Sequence, residues 1–170
     1  MDLYKSLIER RSIRKYKDKE ISNDLLDKIM IAAKHAPTAM NKQNLKFYAV
    51  KKSDWIKRLE EAIKVDMDNN EYSLRDAKAF ILVASPKDSL LADADTACAM
   101  MNMFYAAMSE GIGSCWINQL RHVSDKAHVR PLLDEIDFPG DYQCLGMVAL
   151  GYPDEVPEHK ERIEERFIIE

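Results

Sequence analysis

Several features that mark common functional classes are missing from this chain of 170 residues. It has neither a signal peptide nor an apolar run of the roughly 18 residues that a membrane-spanning helix needs, so we expect neither secretion nor membrane insertion. The net charge of −4 argues against binding to nucleic acid or to an anionic membrane, because both need a basic face. The three cysteines form no C-x-x-C pair and lie in apolar contexts, which indicates reduced core residues of a cytoplasmic protein.

The usual patterns of hydrolytic, metal and dinucleotide sites are missing as well. The four histidines form no H-E-x-x-H or H-x-x-x-H pattern, no G-x-S-x-G occurs, and the cysteines lack a nearby base. Gly111-x-Gly113 follows a helical pattern and precedes a strand pattern, which is the reverse of the order in a dinucleotide-binding fingerprint. It indicates instead the end of a helix and a backbone that comes close to another group.

Hydrophobic periodicity predicts helices and strands in an uneven order. Helical spacing of apolar residues covers 2–9, 23–35, 53–66 and 93–110, and Ser124 is predicted to cap a further helix that ends near Leu133. Apolar runs typical of buried strands cover 45–51, 79–84 and 144–150, with a short strand or turn at 112–117. Since helices and strands do not alternate strictly, the pattern favours an α+β fold, and the length favours one domain over 1–170.

The helix predicted over 93–110 is apolar on nearly every side. Such a helix must be covered all round, and a single domain of this size rarely surrounds one completely. The pattern therefore predicts that a second subunit covers part of this helix.

Positive charge is concentrated in one short stretch, residues 10–16, which we call the arginine segment. It holds Arg10, Arg11, Arg14 and Lys15 together with the hydroxyl of Ser12. Guanidinium groups that lie close together repel each other unless an anion lies between them, and their planar forks suit phosphate oxygens. The plain alternative is a solvated helix end, where cations interact favourably with the helix dipole.

Four motifs decide between these interpretations. They are R-R-S-I-R-K-Y at 10–16, A-P-T-A-x-N-x-Q at 36–43, G-I-G-S-C-W-I at 111–117, and L-G-Y-P at 150–153 followed by K-x-R at 160–162. With these motifs in this order, nearly the whole chain resembles the nitroreductase family of FMN-dependent oxidoreductases. The resemblance implies an α+β, nitroreductase-like fold with a central, mostly antiparallel sheet flanked by helices. It also implies an intertwined homodimer whose two FMN sites are each built from both subunits.

The resemblance implies a role for each motif in binding FMN. The phosphate and ribityl chain fall to Arg10, Arg11, Ser12, Lys160 and Arg162. The N1/O2 edge of the flavin falls to Arg14, and its polar edge also to Asn70. The partner subunit contributes Pro37, Thr38, Ala39, Asn41 and Gln43. The backbone that flanks the ring and donates to N5 belongs to Trp116, Ile117, Asn118 and Gln119.

The implied activity is hydride transfer from NAD(P)H through flavin N5 to an electron-poor acceptor, such as a nitroaromatic or a quinone, by a ping-pong mechanism. No side chain is required as a general acid, because the cofactor carries the chemistry. Two alternatives stay open at this point. One is a flavin carrier or sensor without significant turnover, and the other is a scaffold whose arginines bind an acidic partner.

Overall fold

An antiparallel sheet of four strands lies at the centre of the computed structural model, which describes residues 3–158, 160–163 and 167. The strands are β1 (Lys46–Val50), β2 (Ala79–Pro86), β3 (Gly113–Ile117) and β4 (Tyr142–Gly151). Their order across the sheet is β1-β2-β4-β3, and every pairing is antiparallel. The predicted α+β fold with an antiparallel sheet is confirmed.

The two central strands explain why the sequence pattern is a continuous apolar run rather than an alternation. Every residue of β2 is buried, because helices cover both faces of the sheet. β2 pairs with β4 from Ala79 opposite Leu150 to Pro86 opposite Tyr142, and the register shifts between Val83 and Ala84. The long strand β4 thereby links β2 to the edge strand β3, where the arginine segment lies.

Helices pack on both faces of this sheet. They are α1 (Leu3–Glu9), α2 (Asn23–Lys34), α3 (Ser53–Met67), α4 (Ala92–Ser109), α5 (Leu120–Val123) and α6 (Arg130–Asp134). On one face, Ile29 of α2 and Met103 of α4 belong to the same apolar cluster as Ile81. On the other face, Leu59 of α3 and Leu133 of α6 pack in a cluster with the sheet. Among the described residues, no helix is both long enough and apolar enough to cross a bilayer.

The helix predicted from Ser124 to Leu133 is wrong, because the structure has two short helices there. Ser124 is the C-terminal cap of α5, and α6 begins only at Arg130. The Asp66 carboxylate accepts the backbone N–H groups of His128 at 3.2 Å and Val129 at 3.1 Å. A side chain from α3 therefore binds the backbone immediately before α6, where Val129 is the N-terminal cap residue.

Asp66→Ala is expected to lower the free energy of unfolding by about 2 kcal/mol, because it leaves these donors without an acceptor. The Asp66 side chain is only 6% exposed and also pairs with His128 Nδ1 at 2.7 Å. Burial opposes its ionisation, but the hydrogen bonds from His128 and Val129 outweigh burial and lower the pKa of Asp66. Its stabilising contribution is therefore present above the unfolded-state pKa and lost as the pH falls through the folded-state pKa. Urea unfolding at several pH values measures this, and the exposed Asp27→Ala on α2 is the control.

The end of α4 agrees with the prediction made for the glycines. Gly111 has a φ of 71°, and the N–H of Ile112 donates to the Ala107 carbonyl at 2.8 Å. This is the left-handed helix end that glycine favours.

One side of α4 is only half-buried, including Cys98, Met101 and Tyr105.

Candidate functional site

The arginine segment lies along the outer edge of β3. The N–H of Ile13 donates to the Ser114 carbonyl at 2.9 Å, and Ser12 forms an isolated parallel bridge with Ser114. Further along, the N–H of Lys17 donates to the Tyr152 carbonyl at 2.8 Å. The segment thus covers the edge strand, and these bonds fix the backbone that carries the arginines.

Two glycines allow the segment to pack this closely. A Cβ on Gly113 would lie 2.9 Å from three side-chain atoms of Ile13, and a Cβ on Gly151 would lie 2.5 Å from Cδ1 of Tyr16. Both distances are far below an ordinary carbon–carbon contact of about 3.5 Å or more. The Tyr16 hydroxyl then donates to the Ile13 carbonyl at 2.6 Å. The close backbone approach predicted for Gly113 is confirmed, and the neighbouring group is Ile13.

Gly151→Ala is expected to displace the arginine segment and to lower the free energy of unfolding by about 1–3 kcal/mol, because the new methyl group overlaps the base of the Tyr16 side chain. Thermal unfolding measures the loss. Gly140→Ala is the matched control, since nothing lies within 4 Å of its Cβ position. If both variants unfold at the same temperature, Gly151 does not position the segment.

The three guanidinium groups of the segment have different surroundings. Arg11 Nη1 donates to the carbonyls of Ile8 at 2.7 Å and Arg10 at 2.8 Å, so Arg11 also caps the end of α1. The Arg10 guanidinium lies 5.5 Å from the centre of the Phe104 ring. Within the described part of the chain, the guanidinium groups of Arg10 and Arg14 form no hydrogen bond or ion pair. Two cations are therefore left without an anion.

These cations line two different cavities. Arg10 and Arg11 line a cavity of about 270 Å³, the Arg10 cavity, together with Ser114 and Pro157. Arg14 lines a separate, more polar cavity of about 460 Å³, the Arg14 cavity. Its lining residues come from two loops and β3, and are Asn69, Glu71, Tyr72, Ser73, Arg75, Cys115, Trp116, Ile117 and Gln119. The segment therefore separates the arginines into two groups.

The side chain of Trp116, which lines the Arg14 cavity, packs closely against Gly146. Trp116 is 37% exposed, and its ring centre lies 6.1 Å from that of Phe104. A Cβ on Gly146 would lie 3.1 Å from the indole nitrogen and 2.8 Å from the sulfur of Met100. Beyond β3, the N–H of Asn118 donates to Oε1 of Gln119 at 3.1 Å. The backbone from Trp116 to Gln119 thus leaves the sheet beside the Arg14 cavity.

The chain after β4 returns to the arginine segment through Glu155. This carboxylate accepts the N–H of Lys15 at 3.0 Å and, at a shorter distance, that of Arg14. The Arg14 N–H is the main cause that lowers the pKa of Glu155. Beyond Pro157, Lys160 and Arg162 are exposed, and neither lines the cavities described above.

The loop at residues 37–43 has an unusual backbone. Met40, Asn41 and Gln43 have positive φ values of 52°, 54° and 51°, and Met40 is 81% exposed. Hydrogen bonds hold this conformation: Gln43 N–H donates to Thr38 Oγ1 at 3.0 Å, and Gln43 Nε2 donates to Asn41 Oδ1 at 2.8 Å. Non-glycine residues keep such a backbone only where the surroundings impose it, and these positions concentrate at functional sites.

Asp95 fixes this loop at the beginning of α4. Its carboxylate, on a residue that is 5% exposed, accepts the N–H of Ala39 at 2.9 Å. Phe104, which contacts Arg10, lies nine residues further along α4, or about 13 Å along the helix axis. In the described structure, Thr38 and Gln43 line a small cavity of their own with no arginine of the segment. One chain therefore does not bring the loop and the arginines together.

Comparison with known proteins shows which family has a sequence and a fold similar to those of this chain. A family model described as "Nitroreductase family" matches residues 7–152. The chain belongs to the nitroreductase family. A protein of Archaeoglobus fulgidus, provisionally named as an NADH dehydrogenase/NAD(P)H nitroreductase, is 34% identical over 88% of this chain and 84% of that protein. The FMN reductase [NAD(P)H] of Bacillus subtilis is 24% identical over 95% of this chain and 70% of that protein. A crystal structure of a Bacteroides fragilis nitroreductase with bound FMN has a TM-score of 0.91 and 32% identity, and the match covers all of both chains.

In this member of the nitroreductase family, the predicted site residues fall into three places. Arg10, Arg11 and Ser12 lie at one end of the arginine segment, and Arg14 shares a cavity with Trp116, Ile117 and Gln119. The loop residues Pro37, Thr38, Ala39, Asn41 and Gln43 lie elsewhere, near the start of α4. Asn70 is in an exposed turn beside the Arg14 cavity, which Asn69 lines.

Three residues that shape the site were not predicted from the sequence, namely Asp95, Glu155 and Arg75. The sequence did contain an indication that Asp95 is unusual, because it is an acidic residue on a face of α4 that otherwise holds Ala92, Ala99 and Met103. The sequence contained no such indication for Glu155 or Arg75, since both occur in polar stretches where charged residues are ordinary. Only the fold brings them to the arginine segment and the Arg14 cavity.

Proposed function

We propose that this protein is an FMN-dependent oxidoreductase that passes reducing equivalents from NAD(P)H to an electron-poor acceptor such as a nitroaromatic or a quinone. One observation carries the proposal: a single fixed segment presents the guanidinium groups of Arg10 and Arg14, which have no hydrogen bond or ion pair within the described residues, to two neighbouring cavities. FMN has a doubly charged phosphate at one end and a flat ring with a polar edge at the other. A ligand of that form satisfies both groups of arginines at once.

The Arg10 cavity suits the phosphate. Arg10 and Arg11 supply N–H donors there, and Ser12 adds a hydroxyl on the same backbone. Nη1 of Arg11 donates hydrogen bonds to two carbonyl groups. The other N–H groups of its guanidinium can therefore bind an anion. Lys160 and Arg162 follow Pro157, which lines this cavity, and we assign them to the same phosphate.

The Arg14 cavity suits the ring. Trp116, Ile117 and Gln119 line it together with Arg14 and the 69–75 loop, so Arg14 and Asn70 of that loop would lie beside the polar edge of the ring. When bound, FMN would supply the redox chemistry, namely hydride transfer between NAD(P)H and the acceptor through flavin N5 in a ping-pong cycle. The protein would hold the ring and set its electrostatics, and Arg14, assigned to the N1/O2 edge, would stabilise the negative charge that reduction adds.

We further propose that the protein acts as a homodimer in the cytoplasm. Each subunit would be a single domain formed by residues 1–170. The half-buried side of α4 and the exposed Tyr4, Leu7 and Ile8 of α1 form an apolar surface that a second copy would cover. The strained loop at 37–43 would then complete the FMN site of the partner subunit. Its distance from Arg10 within one chain supports this division.

Purified protein tests the proposed function directly. We expect a yellow protein with flavin absorbance, which NADH or NADPH bleaches under anaerobic conditions and menadione or a nitroaromatic restores. A colourless protein that takes up no FMN would contradict the assignment. A yellow protein that no reduced nicotinamide bleaches would instead identify a flavin carrier or sensor.

A further inference from the structure

The Arg14 cavity contains a second cation that the roles above leave unused. Arg75 lines it from the 69–75 loop, and Trp116 and Ile117 line it from β3. Its N–H donates to Ser73 Oγ at 3.0 Å, which fixes the backbone next to the cavity. Within the described residues, the Arg75 guanidinium has neither a hydrogen bond nor an ion pair. An arginine that lines a polar cavity without a partner is a candidate for binding an anion.

The charge balance of the cavity favours an anion. Arg14 and Arg75 line it against one carboxylate, that of Glu71. Burial raises the pKa of Tyr16, and the charges of Arg14 and Arg75 both act against it. One phenol therefore lies within electrostatic range of both guanidinium groups. The buried hydroxyl of Tyr72, another lining residue, also has no hydrogen-bond partner among the described residues.

The two arginines differ in what they can bind. Arg14 belongs to the segment that we assign to the FMN, and its backbone is fixed by Glu155. Arg75 belongs to a separate loop that lines the same cavity, and it is exposed to solvent. An anionic small molecule that enters this cavity would therefore be attracted to Arg75.

We infer that Arg75 forms an anion subsite beside the flavin, and that the preferred acceptors carry a carboxylate in addition to their reducible group. The inference rests on the proposed function and specifies its substrate class. A planar carboxylate fits a guanidinium fork with two parallel hydrogen bonds, which explains an arginine at this position. Glu71 opposes the same anion, so the two side chains set the selectivity between charged and neutral acceptors.

The test compares 4-nitrobenzoate with its neutral analogue 4-nitrobenzamide in the FMN-loaded protein. In Arg75→Gln, kcat/KM for 4-nitrobenzoate should fall about 10-fold, the size expected for one charge-assisted hydrogen bond, while that for 4-nitrobenzamide should change less than about two-fold. Glu71→Gln should shift the ratio in the opposite direction. Lys52→Gln, which removes an exposed cation beside β1, is the control and should leave the ratio unchanged.

Binding without turnover separates this inference from the proposed function. Calorimetric titration of benzoate and benzamide into the oxidised, FMN-loaded protein should give benzoate the higher affinity, and Arg75→Gln should remove that difference. If wild-type protein reduces no acceptor, the proposed function fails, yet the titration still tests the subsite. An equal loss for both acceptors, a loss of FMN from Arg75→Gln, or a change only in the preference between NADH and NADPH would overturn the inference.

Discussion

Arg10→Ala is expected to weaken FMN binding by on the order of 10- to 100-fold, because a hydrogen bond to a charged group contributes about 1.5–3 kcal/mol. The Arg10 guanidinium lines the Arg10 cavity and has no ion pair within the described residues, so its charge is available to the phosphate. Its contact with Phe104, at 5.5 Å, is a smaller contribution that the variant also removes. Equilibrium dialysis or fluorescence titration of the apoprotein with FMN measures the change.

Lys17→Ala is the matched control for this prediction. Lys17 lies just beyond the arginine segment, and its side chain is exposed, so its removal should change FMN affinity less than about two-fold. Arg10→Lys keeps the charge but loses the planar fork, and should fall between the two. Thermal unfolding of each apoprotein separates lost binding from lost stability. Equal effects of Arg10→Ala and Lys17→Ala would refute the assignment of Arg10 to the phosphate.

The elements of the fold that depend on local pattern were predictable from the sequence. The apolar run at 79–84 gave β2, and the pattern at 93–110 gave α4 to within one residue at each end. The strand order was not predictable, because antiparallel pairing of β2 with β4 joins residues that are far apart in the chain. The helix predicted from Ser124 failed for a similar reason, since the backbone just before α6 binds Asp66 of α3, which is far away in the sequence.

In the candidate site too, features that depend on local sequence could be predicted and features that depend on the fold could not. The arginine segment was recognisable because its charge is local, and the close approach at Gly113 followed from the residue type. The resemblance to the nitroreductase family already assigned Arg14 to a different part of FMN from Arg10 and Arg11, but the packing of Ile13 and Tyr16 against Gly113 and Gly151, which fixes the segment between the two cavities, could not be predicted. Arg75 was missed because only the fold brings the 69–75 loop to the same cavity as β3.

A mixed dimer of two defective chains is expected to recover FMN binding that neither chain has alone. One chain carries Arg10→Ala, which weakens the phosphate end. The other carries Thr38→Ala with Asn41→Ala, which removes two acceptors that hold the 37–43 loop in its strained conformation. If each site takes its arginines from one subunit and its loop from the other, a mixed dimer has one site with both defects and one with neither. Chains with two different affinity tags, co-expressed and purified on both, provide the mixed dimer.

Flavin absorbance per dimer decides between the two arrangements. The homodimer of each variant should hold little FMN at a concentration that saturates the wild type, whereas the mixed dimer should hold about one FMN per pair of chains. If one chain supplied both halves of its own site, every site in the mixed dimer would carry a defect and binding would not recover. We expect recovery, because Asp95 fixes the loop about 13 Å along α4 from the phenylalanine that Arg10 contacts. The loop can therefore serve a flavin held by another chain more readily than one held by its own.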